Sequence, residues 1–238
     1  MMTLYDQLLQ RKRTWTPVQP TKGTFRPGSE AALYRALALR TLELPVGAFI
    51  RTACRNEIPE EARPLLESNI IDEEKHDLAL SYIAGVHGTN AEDERVAEQL
   101  RLAWEESKEH TVLKAMVLER SIFFVLLPFF RFNGDAGLRT VSADISRDEQ
   151  VHVAANSLVC RELDLKISKS LDTLRKATIQ WVMQPLTKSE DRYLDRQFWI
   201  DQSDSLLYSG KAEGLIETKR ARMPAFFEHS NSNLPQYA

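Results

Sequence analysis

The sequence predicts an all-α helical bundle. Glycine and proline, 9 and 10 among 238 residues, are scarcer than an all-β chain with many tight turns needs. Apolar residues recur at helical rather than strand spacing between caps and breakers. One acid–histidine pattern also occurs twice, at an interval that a helix brings onto a single face. With 43% apolar and 27% charged residues, the chain has the composition of one ordinary globular domain. The net charge of −3, from 31 basic and 34 acidic residues, lacks the basic excess of a nucleic-acid binder. Cys54 and Cys160 are too few for a disulfide framework. The apolar run 121–130 is too short to span a bilayer, which takes about 20 residues. The opening Met1-Met2-Thr3-Leu4 carries no signal pattern. The expectation is a soluble protein of a reducing cytoplasm, with no membrane and no nucleic acid as partner.

Residues 1–28 are broken by Pro17, Gly23, Pro27 and Gly28 and read as an irregular arm. A first helix is expected from a Ser29 cap toward Asn56, bent at Pro45. A second opens at Pro59 and ends near His87-Gly88. A third starts after Asn90 and runs, with a break, to the Asn133-Gly134 stop, interrupted near its end by Pro128. A fourth covers about 136–163, and a fifth runs from a Ser168 or Ser170 cap to about Pro185. A sixth spans 189–208. The domain is thus expected at 29–210, with a tail at 211–238 that contains the solvated basic run 219–222 and ends in a mobile stretch, 230–238. No glycine-rich phosphate loop is present.

Asp72-Glu73-Glu74-Lys75-His76 and Asp148-Glu149-Gln150-Val151-His152 both read D-E-x-x-H. Glu and His three residues apart share a helix face and can hold one metal ion together. Each pair follows another acid by 30 residues: Glu43 precedes Glu73, and Glu119 precedes Glu149. Glu43 and Glu119 lie inside apolar helical segments, where an unpaired carboxylate is costly and so points to a partner. The sum is the dimetal four-helix pattern, with a Glu from each of two helices and Glu-x-x-His from each of the other two. Glu43, Glu73, His76, Glu119, Glu149 and His152 are therefore the candidate metal ligands. This oxygen and nitrogen set suits iron or manganese, and zinc fits the ligand type as well. Four carboxylates largely balance two cations and can move between terminal and bridging modes, which favours redox over hydrolytic chemistry. Of the other histidines, His87, His110 and His229 are given no role.

Ile145-Ser146-Arg147-Asp148-Glu149-Gln150-Val151-His152 closely resembles the S-R-D-E-x-x-H signature of class I ribonucleotide reductase small subunits. Leu118-Glu119-Arg120-Ser121-Ile122-Phe123-Phe124 is similar to that family's segment around its third-helix ligand. The resemblance covers about residues 30–160 and is to a short, minimal, phage-type member. It implies a ferritin-like bundle whose dimetal site stores an oxidising equivalent. The oxidant passes to a cysteine of a separate large subunit, where ribonucleotides are reduced to deoxyribonucleotides. The resemblance further implies a homodimer. Asp148 matches the Asp that links a ligand histidine, here His76, to a tryptophan on the electron path. Trp15 is the expected tryptophan, whereas Trp104, Trp181 and Trp199 read as core or interface. Tyr237, or else Tyr208, is the expected relay in a tail that docks on the large subunit.

The chain departs from the family at the usual radical tyrosine, four residues after the first ligand histidine. Leu80 stands there, and Tyr82 faces elsewhere. Phe123, Leu127 and Ile145 make the neighbourhood apolar. The expected oxidant is therefore metal-centred, on a dimanganese or manganese–iron centre, with di-iron as the alternative. Two other functions compete: a standalone dimetal oxidase or oxygenase, and a ferritin-like metal store.

Overall fold

The protein is described by a computed structural model that covers residues 2–55, 58–211 and 215. It is all-α as expected, with no strand among the described residues. Four helical columns close a ring: α3 (Glu43–Arg55) packs on α4 (Arg63–His87) and on α6 (Thr111–Leu118), and α8 (Ala136–Glu162) packs on α4 and α6. The column begun by α6 continues through a π-helical segment, Glu119–Phe123, into α7 (Phe124–Asn133). Outside the ring, α2 (Glu30–Ala38) lies on α5 (Ala91–Glu106) and α9 (Lys169–Met183). Its Leu33 and Leu37 are fully buried, each contributing roughly 1.5–3 kcal/mol relative to exposure. The last helix, α10 (Arg196–Asp204), packs on α7 and α9 and runs into a second π-helical segment, Ser205–Ser209.

Local chemistry sets the helix ends. Asn90 caps α5 by accepting from the Glu92 and Asp93 amides, Asp135 caps α8 through the Leu138 amide, and Ser168 caps α9 through Leu171. Gly88, at φ +87°, ends α4 in a conformation that side-chain-bearing residues rarely adopt.

Several expectations are corrected. The arm is not wholly irregular, because α1 (Leu4–Leu9) forms behind a Thr3/Asp6 capping box and buries Tyr5. The helix expected from Ser29 breaks at a 3-10 segment, Leu39–Leu42, ahead of Pro45. Pro45 then falls in the first turn of α3, where no backbone donor is needed. Ser29 does not cap: its hydroxyl donates to the Arg26 carbonyl. Pro128 does not interrupt its helix, which runs on to the expected stop at Asn133-Gly134. The proline and Phe124, one turn earlier, lie on the half-exposed side, while the opposite side of α7 is buried. The sixth helix starts at Arg196 rather than 189, since Asp195 is its cap.

Candidate metal centre

The buried stripe of α4 changes character along its length. Leu65 and Leu66 give way to Asn69, Asp72, Glu73 and His76, and apolar packing resumes at Ala79, Leu80 and Ile83. On α8 the same happens between Ile145 and Val159, with Asp148, Glu149, His152 and Asn156 turned inward. Helical periodicity thus brings the polar middles of two long helices together inside the ring. Glu43 enters from the first turn of α3, and Glu119 from the start of the π segment. Gly47, one turn after Glu43, lets α3 approach closely: a Cβ there would lie 3.4 Å from Glu73 Cβ.

All six expected ligands meet and are buried, none more than 1% exposed. Glu73, His76, Glu149 and His152 can each offer a ligand atom within 4.8 Å of the others, an arrangement able to hold a metal ion. His76 Nδ1 lies 3.4 Å from Glu149 Oε1, 3.7 Å from Glu73 Oε2 and 3.8 Å from Glu43 Oε2. His152 Nδ1 lies 2.8 Å from Glu73 Oε1, 3.7 Å from Glu149 Oε1 and 3.9 Å from Glu119 Oε1. Eight inward-facing atoms lack a hydrogen-bond partner: one oxygen each of Glu43 and Glu119, both oxygens of Glu73 and Glu149, and Nδ1 of both histidines. Orphaned buried atoms cost roughly 1–3 kcal/mol each, more when charged. Their convergence on one another is what a cation-binding site requires.

The outward nitrogens are held in a crossed arrangement. His76 Nε2 donates to Asp148 Oδ2 at 3.2 Å, and His152 Nε2 donates to Asp72 Oδ2 at 3.1 Å. Each D-E-x-x-H segment therefore supplies the Asp that fixes the histidine of the other. With Nε2 protonated against a carboxylate, Nδ1 keeps its lone pair for the interior. Asn156 Nδ2 donates to Glu119 Oε2 at 2.6 Å and orients that carboxylate.

Electrostatics fit a cation. Burial and the Glu73 and Glu149 charges push the Glu43 carboxyl well above its usual range, and burial with the Glu149 charge does the same to Glu119. Burial works against charge on both histidines. The carboxylates win: Asp148 and Glu149 raise His76, and Glu73 and Asp72 raise His152. Burial also opposes ionisation of Glu73, yet the adjacent His152 draws it down to about 2. Protons thus collect where negative charge is concentrated, and metal cations would displace them.

The arm reaches the centre at two points. The Trp15 indole donates to Asp148 Oδ2 at 2.6 Å, the oxygen that also serves His76. Its ring is stacked 6.2 Å from the His76 ring, centroid to centroid. Three residues earlier, Lys12 forms an ion pair with Asp72 and donates to Asn69 Oδ1 at 3.0 Å; Lys75 joins Asp72 at 2.5 Å. The line Trp15–Asp148–His76 is the one expected from the sequence. Lys12, Asn69, Asn156 and the role of Asp72 were not foreseen.

Leu80, Phe123, Leu127 and Ile145 are buried, and Tyr82 is half-buried. Tyr5 donates to Glu162, away from the cluster. Tyr208 is exposed on the second π segment; Tyr237, His229 and the basic run 219–222 lie outside the described residues. Trp104 and Trp199 are buried, and Trp181 is half-buried under Arg35. Two histidines given no role have structural ones. His87 Nε2 bonds Asp135 at 2.8 Å and stacks on Phe25, and His110 caps α6. No helix among the described residues is long and apolar enough to cross a membrane. No family model matches the chain, and a search of curated proteins returns no match.

Proposed function

We propose that the centre holds two redox-active metal ions, and that the chain is the small, radical-generating subunit of a class I ribonucleotide reductase. In this reading it works as a homodimer with a separate large subunit. The observation that carries the reading is the continuous line from Trp15 through Asp148 to His76, whose far nitrogen faces the carboxylate cluster. A metal store has no need of an aromatic side chain wired to one ligand. Glu43, Glu73, His76, Glu119, Glu149 and His152 would hold the ions, whose charges the four carboxylates offset. Bound there, dimanganese, manganese–iron or di-iron supplies a one-electron oxidant. Leu80 leaves no phenol at the usual radical position, which supports a metal-centred oxidant.

The residues divide the remaining work. Asp148 Oδ2 accepts from two N–H groups at once and so fixes the indole and the imidazole relative to each other. When Trp15 gives up an electron, its Nε1 proton has an acceptor at 2.6 Å, so charge need not build on the ring. The large subunit's cysteine would then restore the electron to Trp15 through a tail tyrosine, Tyr237 or Tyr208.

The test combines metal content with electron paramagnetic resonance after loading iron, manganese or both and exposing the protein to oxygen or superoxide. The expected result is about two metals per chain and a high-valent cluster signal without a tyrosyl signal. In Asp148→Asn, metal content should persist while turnover with a large subunit is abolished; loss of metal would make Asp148 structural. Many metals per chain would favour storage. Substrate-dependent oxygen uptake without a partner would favour a standalone oxidase, and exclusive binding of redox-silent zinc would overturn the radical reading.

A further inference from the structure

Where the arm crosses α8, a cavity of about 650 Å³ is lined by Arg11, Lys12, Arg13 and Arg147, with Gln10 and Gln150 beside them and no acidic residue in its wall. This concentration of positive charge sits on a chain of net charge −3. Part of it is already matched: Lys12 is paired with Asp72, and Arg147 with Asp144 at 3.1 Å. Arg11 and Arg13 are exposed and form no ion pair among the described residues. Two unmatched guanidinium groups, with a third held by a single surface carboxylate, therefore face one concavity.

We propose that this cavity is a binding site for a polyphosphate, either inorganic or the phosphate chain of a nucleotide. Guanidinium forks match phosphate oxygens in pairs. The two unmatched charges require a ligand that carries at least two negative charges in a small space, as a di- or triphosphate does and a single carboxylate does not. The volume lies within the range of small-molecule sites, about 300–1,000 Å³, and exceeds what a bare phosphate chain fills. Gln10 and Gln150 supply neutral donors and acceptors at the wall. The site lies outside the metal centre but shares Lys12 with it. An occupant would rest against the residue that, through Asp72, steadies His152, and would fasten the arm that carries Trp15.

The test is isothermal titration calorimetry on the full chain at low salt with sodium triphosphate, ATP and hexaglutamate. Triphosphate should bind at one site, weaken as salt is raised, and bind about tenfold or more weakly to Arg11→Gln/Arg13→Gln. Those arginines have no partner to lose, so the helical circular dichroism of the variant should match the parent. Arg147→Gln should weaken binding in the same direction. ATP binding tighter than triphosphate would assign the natural ligand to nucleotides, and equal affinities would assign recognition to the phosphate chain alone. Absence of triphosphate binding, or binding indifferent to the double substitution, would overturn the proposal. Hexaglutamate binding tighter than triphosphate would also overturn it and assign the cavity to an acidic protein segment.

Discussion

Asp72 and Asp148 each stand one residue before an inward-facing glutamate of the cluster, yet each holds a histidine on the opposite helix. They differ in company. Asp148 meets an indole, while Asp72 carries two ammonium groups, Lys12 and Lys75, which with His152 hold its carboxyl below the usual range despite burial. Asp72→Asn should therefore do two kinds of harm: it loosens His152, and it leaves two lysines without their counter-ion. Metal affinity, measured by competition with a chelating dye, should fall about 10- to 100-fold. Much at this scale was legible in the sequence. An acid inside an apolar helix needs a counter-charge, a Glu-x-x-His pair puts two ligands on one face, and helical spacing makes them converge. Asn156 left a fainter signal: it stands four residues after His152, as Leu80 stands four after His76. Lys12 left none, because its partner lies 60 residues away and the segment around it has no periodicity.

Among the elements, the π segment Glu119–Phe123 depends most on its neighbours. Its outer groups are met by the end of α10 and by the second π segment that follows it. Ser203 Oγ donates to the Ser121 carbonyl at 2.6 Å, and Arg120 Nε donates to the Leu206 carbonyl at 2.7 Å. Ser203 in turn accepts from the buried Arg175 at 2.7 Å. Ser203→Ala should leave a buried carbonyl and a guanidinium group each short of a partner. The expected cost is about 1–3 kcal/mol in urea unfolding, with metal content reduced because Glu119 begins the disturbed turn. Neither the π turn nor the 3-10 break at Leu39–Leu42 could be read from the sequence. Apolar periodicity there is continuous, and the departures come from contacts across the fold. The α1 helix was legible in principle from Thr3-x-x-Asp6, but the breakers that follow it masked so short an element.

At the scale of the molecule, the bundle folds around a cluster of carboxylates and histidines that apolar packing alone would exclude. Metal ions should stabilise it more than they would a surface site. At a free metal concentration about a thousandfold above Kd, binding contributes about 4 kcal/mol, which for a chain of this size is roughly 8–16 °C in Tm. Differential scanning fluorimetry with and without manganese or iron, and after chelation, measures this directly; an unchanged Tm would count against tight binding. The interior also protects its thiols. Burial pushes the Cys160 thiol up to about 12, with the Glu119 charge adding to it, and burial raises Cys54 as well. Both should stay protonated and resist iodoacetamide at mildly alkaline pH, then react once the protein is unfolded in guanidinium, as mass spectrometry would record.

The repeated D-E-x-x-H segments, taken alone, would build a site with interchangeable halves. The arm removes that equivalence by setting Trp15 behind one histidine and Lys12 behind the other. The site therefore has a front and a back. Behind His76 stands a side chain that can be oxidised, and behind His152 a fixed positive charge that cannot. If the site holds two unlike ions, as proposed above, they would not exchange places freely, and an oxidising equivalent would leave the pair by a single door.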